Sequence, residues 1–185
     1  MRVQPNMIVV VPADAVEAQK ATMAIAFNNE PSYLRLGREK SAVFTTPETP
    51  FEIGKAEILR DGQDVVIIGC GILVYNALVA AEELAKEQID CMVINSHTVK
   101  PLDEKTIIEA AKKCGAVVSV EEHQINGGLG SAIAECLSRN HPVPQEYIGM
   151  PNHFGESGEP NELFEKYGMC VDGIKEAVKK VFKRK

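Results

Sequence analysis

Two arginines three positions apart, in Tyr33-Leu34-Arg35-Leu36-Gly37-Arg38, are the side chains of this sequence best shaped to hold a phosphate. A guanidinium is a planar fork that can donate two hydrogen bonds to one oxyanion at once. Strand alternation places Arg35 and Leu36 on opposite faces, and Gly37 frees the backbone to aim Arg38 elsewhere. A surface salt bridge is the ordinary alternative for Arg38, and the residues alone leave both open. A second group is Glu121-Glu122-His123, followed closely by Gly127-Gly128-Leu129-Gly130-Ser131. Backbone amides of a glycine-rich helix start attract anions. The two glutamates just before it would repel a phosphate, which favours a tight turn packed against a neighbouring domain. His123 beside them has the chemistry of a base or a metal ligand. Adjacent strand residues point apart, however, so Glu122 and His123 are poorly placed to share one ion, and a hydrogen-bonded loop histidine is expected. Gly69-Cys70-Gly71 invites a dinucleotide reading, but Val74 stands where a third glycine belongs and Asn95 where an acidic residue would meet a ribose. His97, His141 and His153 have no ligand spacing with one another and receive no role.

The elements that carry these groups alternate between strand and helix. Residues 7–11 form a continuous apolar run, as in a strand buried on both faces, and Pro12 stops it. Asp14 with Glu17 three positions on starts a helix in the manner of a capping box. A short strand at residues 32–36 follows, so the opening is a single β-α-β unit with too little core to fold alone. Residues 37–53, rich in Thr and Pro, form an extended connector. From residue 54 the alternation resumes. Residues 56–60 and 65–68, joined through Asp61-Gly62, read as a tight antiparallel pair at a sheet edge. Further strands at 91–94, 117–120 and 147–148 alternate with helices near 73–86, 103–113, 132–138, 161–167 and 172–182. The implied fold is α/β, with a three-layer α/β/α unit at 54–185 around a five-stranded, mostly parallel sheet with one antiparallel edge strand.

A formal charge of −6 and a pI near 5.3 argue against nucleic-acid binding. The basic tail of Lys179-Lys180 and Lys183-Arg184-Lys185 suits the end of a helix. No apolar run approaches the roughly 20 residues of a membrane span, and the N-terminus lacks the order of a signal peptide. Five cysteines scattered singly read as reduced core thiols, which places the protein in the cytoplasm.

Seven pieces in order carry a resemblance: Pro5-Asn6-Met7, Pro12-Ala13-Asp14, Leu36-Gly37-Arg38, the proline-bearing connector, Val99-Lys100-Pro101-Leu102-Asp103, Glu121-Glu122-His123 with its glycine cluster, and Gly158-Glu159-Pro160-Asn161-Glu162-Leu163. The chain resembles the C-terminal section of a transketolase. Deoxyxylulose-phosphate synthases and the β subunits of 2-oxoacid dehydrogenases share much of this scaffold. The resemblance implies that residues 1–36 are the last part of a pyrimidine-binding domain, 37–53 a linker and 54–185 the C-terminal domain. It places the family's substrate-phosphate arginine on Arg38, with Arg35 as a second candidate, and puts no catalytic, cofactor or metal residue on this chain.

The activity so implied is two-carbon ketol (glycolaldehyde) transfer between sugar phosphates, as in the pentose phosphate pathway. Thiamine diphosphate and a divalent cation such as magnesium would serve the complete enzyme. The cofactor-holding domains are expected upstream or on a separate subunit, and the chain alone is expected to be inactive and to bind no cofactor. Unsatisfied strand edges at residues 1–36 further suggest a dimer or other homo-oligomer. A non-catalytic assembly or regulatory module is the competing reading.

Overall fold

The structure, a computed structural model, describes residues 1–38 and 40–185. Its larger sheet has the order β3 (Glu57–Arg60), β5 (Cys91–Asn95), β4 (Val65–Cys70), β7 (Val117–Gln124) and β8 (Gln145–Met150). β4, β5, β7 and β8 run parallel, and β3 lies antiparallel to β5 at the edge. The five-stranded sheet with its antiparallel edge strand is thus as expected, but β3 and β4 are not a hairpin pair. β5 inserts between them, since the run Val65, Val66, Ile67 and Ile68 is fully buried and needs a neighbour on each side.

Alternation along β4 builds two cores. Val65 and Ile67 meet Leu73, Ala77 and Leu84 of α2 (Leu73–Lys86) together with Ile174, Val178 and Val181 of α6 (Val171–Phe182). Val66, Ile68 and Cys70 face α3 (Glu104–Cys114) and α4 (Leu129–Asn140) through Ile107, Ala111, Leu129 and Ile133. Each such isoleucine or leucine, fully buried, contributes about 1.5–3 kcal/mol. Asp103 caps α3 by accepting from the Thr106 N–H, and Gly115, at φ +72°, ends it by donating to the Ala111 carbonyl. Among the described residues, no helix is long and apolar enough to cross a membrane.

The opening segment forms its own sheet. β1 (Ile8–Val10) pairs in parallel with β2 (Ser32–Leu34) across α1 (Ala15–Ala26). The sheet has a third strand the sequence did not announce: β6 (Thr98–Lys100), antiparallel to β1. The chain crosses between the sheets at residues 95–98, where the Ser96 N–H donates to the Gly69 carbonyl and the Val11 N–H to the His97 carbonyl. Both sides of β1 are therefore covered from within the chain, and β2 and β6 are the sheet's outer strands. The described connector residues form neither helix nor strand but are pinned: the Phe44 and Thr45 N–H groups donate to Asp14, and Lys20 Nζ to the Thr46 and Thr49 carbonyls.

Candidate functional site

β7 runs four residues further than its apolar stretch suggested, so Glu121, Glu122 and His123 belong to a strand end rather than a loop. Alternation then sends Glu121 inward, where it is 3% exposed. Its carboxylate occupies the N-terminus of α4, accepting from the Leu129 N–H at 2.8 Å and the Gly130 N–H at 2.9 Å. A Cβ on Gly128 would stand 2.0 Å from Glu121 Oε2, so the glycine is required by this close approach. Burial pushes the Glu121 carboxyl above its ordinary range, against the opposing pull of the two amide bonds and of His123 and Arg2. The anion position weighed against a tight turn at the glycine cluster is filled by the chain's own side chain. The turn is also held from the opening segment, because Arg2 donates to the Gly127 carbonyl and forks onto Glu135 of α4. His123 is half-exposed, with Nδ1 2.7 Å from the Gln124 carbonyl and 3.7 Å from Glu121 Oε2.

The two groups singled out in the sequence meet across the gap between the sheets. The Arg35 N–H donates to the Val10 carbonyl, extending the β1–β2 ladder, and its guanidinium lies 3.4 Å from Glu122 Oε2. Arg35, Glu122 and His123 form a wall with a cavity on each side. The smaller, of about 170 Å³, has a floor of Val9, Val11, Cys70, Val99 and Leu129. The larger is a cleft of about 670 Å³ that Arg38 lines, closed on its far side by Gly155, Glu156, Glu159 and Tyr167. Nothing in the sequence pattern marked this stretch before α5 (Pro160–Lys166) as a wall of the cleft. His97, His141 and His153 line neither cavity. At Gly69-Cys70-Gly71, the Gly71 N–H donates to the Val11 carbonyl at φ +68°, so the turn meets β1's end, as a plain βα turn would.

A buried polar seam joins the sheets behind the cleft. Asp14 caps α1 by accepting from the Glu17 N–H. Glu17 reaches back to the Ala13 N–H at 2.6 Å and across to Asn95 Nδ2, at the end of β5, at 2.7 Å. Among the described residues, Asn95 Oδ1 has no hydrogen-bond partner, though it is buried. Burial, the largest influence, pushes the Glu17 carboxyl up to about 7. Nearby, His97 stacks on Phe51 of the connector with ring centres 4.3 Å apart, and burial drives its imidazole down to about 4. The capping pattern announced Glu17's bond within α1, but nothing announced Asn95 as its second partner.

The family model described as "Transketolase, C-terminal domain" matches residues 54–174. The chain belongs to the transketolase family. It is 43% identical over 185 residues to a 6-deoxy-6-sulfo-D-fructose transketolase subunit of Clostridium sp. (strain MSTE9), covering all of this chain and 58% of that one. It is 37% identical over 178 residues to a 1-deoxy-D-xylulose-5-phosphate synthase of Syntrophotalea carbinolica, covering 95% of this chain and 28% of the synthase. A solved structure titled as a split-gene transketolase, an inactive β4 tetramer, superimposes with a TM-score of 0.96 at 42% identity, over 99% of this chain and 60% of that one. The chain thus spans little more than half of the transketolase subunit and at most about a third of the synthase. Complete transketolases depend on thiamine diphosphate, and the residues here do not fit it. Among the described residues no cluster of His, Cys, Asp and Glu could hold a metal. The helix-terminal amides best suited to a diphosphate are already bonded to Glu121.

Proposed function

We propose that this chain is the C-terminal section of a thiamine-diphosphate-dependent transketolase that moves a two-carbon ketol unit between sugars bearing an anionic tail. In this reading residues 1–36 complete a pyrimidine-binding domain, 37–53 link, and 54–185 form the C-terminal domain. A partner segment or subunit brings the cofactor, its divalent cation and the catalytic groups, and this chain alone turns nothing over. Arg38 docks the tail of the substrate, a phosphate in the simplest case, with Arg35 beside it. The observation that carries the reading is the cleft of about 670 Å³ where both arginines converge at the end of β2. The names of the relatives span a sulfonated and a phosphorylated sugar, so the anionic tail is the feature carried over rather than one pathway. Five unbridged cysteines, four of them buried, fit a reducing compartment such as the cytoplasm.

The test is to assemble the chain with the product of the adjoining upstream reading frame and assay ketol transfer. Arg38→Ala should raise KM for tailed donors by about tenfold to a hundredfold, the range of one charge-assisted hydrogen bond, and leave untailed ketoses nearly unaffected. Equal effects on both classes would remove Arg38 from this role. Turnover by the chain alone would contradict the division of labour. Deoxyxylulose-phosphate synthesis is the second reading, favoured by the 37% identity to a synthase. Pyruvate serving as donor to the assembly would select it.

A further inference from the structure

We infer that Glu122 is a specificity-determining residue of the Arg38 cleft, setting how strongly the site discriminates between singly and doubly charged tails. The inference rests on the reading of that cleft as the substrate's anion subsite. Its groups do not form a uniformly basic cup: Arg35 and Arg38 stand with Glu122, Glu156 and Glu159. Glu156 is engaged by Lys166 at 2.6 Å and by the Tyr167 hydroxyl. Glu122 faces Arg35 directly, at 3.4 Å, with each side chain about 30% exposed. Its carboxylate therefore offsets much of the positive charge that Arg35 would otherwise lend the cleft.

A sulfonate and a phosphate ester are both tetrahedral and offer similar oxygen acceptors to a guanidinium. They differ at pH 8 in carrying one negative charge or nearly two. A fixed carboxylate beside the subsite repels the second charge without touching the hydrogen bonds that both tails can make. The long, single contact to Arg35 matters here. It neutralises the guanidinium without the two-point fork that would lock its orientation. Glu122 reaches the cleft only because β7 continues to Gln124, so the residue that tunes the subsite comes from the larger sheet while the arginines follow the smaller one.

The experiment titrates the full chain, labelled at the arginine side chains, with inorganic phosphate and separately with methanesulfonate at pH 8, following the Arg35 and Arg38 Nε–H resonances. Glu122→Gln keeps the side chain's shape and removes its charge. It should tighten phosphate roughly tenfold while changing methanesulfonate by roughly threefold or less, the expectation for one unit charge several ångströms away at intermediate dielectric. Glu122→Asp, which keeps the charge, should restore the wild-type ratio. Equal changes for both anions, or none for either, would overturn the role of Glu122. If wild-type protein shows no resonance shift with either anion, the cleft is no anion subsite and the underlying reading falls with it. In the assembled enzyme the same variant should lower KM for phosphorylated donors relative to sulfonated ones.

Discussion

Replacing Glu17 by glutamine isolates the most perturbed acid in the seam between the two sheets. Burial holds its carboxyl near 7, against 4.5 for an ordinary glutamate. A folded-state value raised this far means that the fold prefers the protonated form. Its stabilising effect is complete below about pH 4.5 and is lost as pH rises to about 7, and it amounts to about 3 kcal/mol at 1.36 kcal/mol per unit. His97 acts in the opposite sense. Its value, lowered from 6.5 to about 4, favours the neutral ring, so stability present above pH 6.5 is lost as pH falls toward 4, again by about 3 kcal/mol. The two windows overlap, and the wild-type contributions nearly cancel. Glu17→Gln removes one of them and keeps the side chain's length and its acceptor for the Ala13 N–H. The quantity to measure is the midpoint of thermal unfolding of the variant minus that of wild type, between pH 4 and pH 8. In that difference Asp14, Asp103 and other shared groups drop out. The variant should gain on wild type by about 3 kcal/mol from the acid to the alkaline end, roughly 6–12 °C for a chain of this size. A difference that stays level across the range would refute the placement of a neutral acid in this seam. A difference of opposite slope would show that Glu17 is held ionised.

Gly128→Ala should destabilise by about 2–4 kcal/mol, because its Cβ would collide with the Glu121 carboxylate, whereas Gly127→Ala, with nothing within 4 Å and only a φ of +84° against it, should lose about 1 kcal/mol; denaturant melts of the pair check the contrast. Asp14→Ala removes the α1 cap and the acceptor for Phe44, Thr45 and the Thr45 hydroxyl, and should lower stability by about 2–3 kcal/mol. Limited proteolysis should then cut first within residues 40–53. Ile174→Ala, in the fully buried face of α6, should cost about 2–5 kcal/mol in the same melts.

What the sequence disclosed and what it withheld divide along physical lines. Val65 through Ile68, Cys91 through Ile94 and Val117 through Val120 are apolar runs whose burial leaves no choice but central strands. Asp14 and Asp103 carry their helix-start chemistry locally, so those boundaries were legible. The hairpin expected from Asp61-Gly62 failed because turn chemistry says nothing of a third strand arriving from thirty residues later. β6 was hidden for a similar reason: Thr98, Val99 and Lys100 form a strand only because the Val9–Val10 backbone lies beside them. In the site, the types and positions of Arg35, Arg38, Glu122 and His123 were readable. Their convergence was not, since it depends on how two sheets face each other. Glu121 was read as an obstacle to an anion at the glycine cluster, and its own carboxyl fills that place.

That substitution bears on what the larger α/β unit can do. Sheets of this kind place ligands where strand ends meet a glycine-rich helix start, because unpaired amides there stabilise negative charge. At α4 those amides are committed to a carboxylate from the adjacent strand, and no side chain can be added at Gly128 without displacing it. At the start of α2, the turn is spent on β1 through the Gly71 bond to Val11. The position at α4 is thus filled by the chain itself, whereas Ile72, beside the tied Gly71, lines the cleft. The ground between the sheets, where Arg35 faces Glu122, is open. The larger unit lends that cleft a wall, and Glu122, His123 and Gln124 are the residues of β7 that line it.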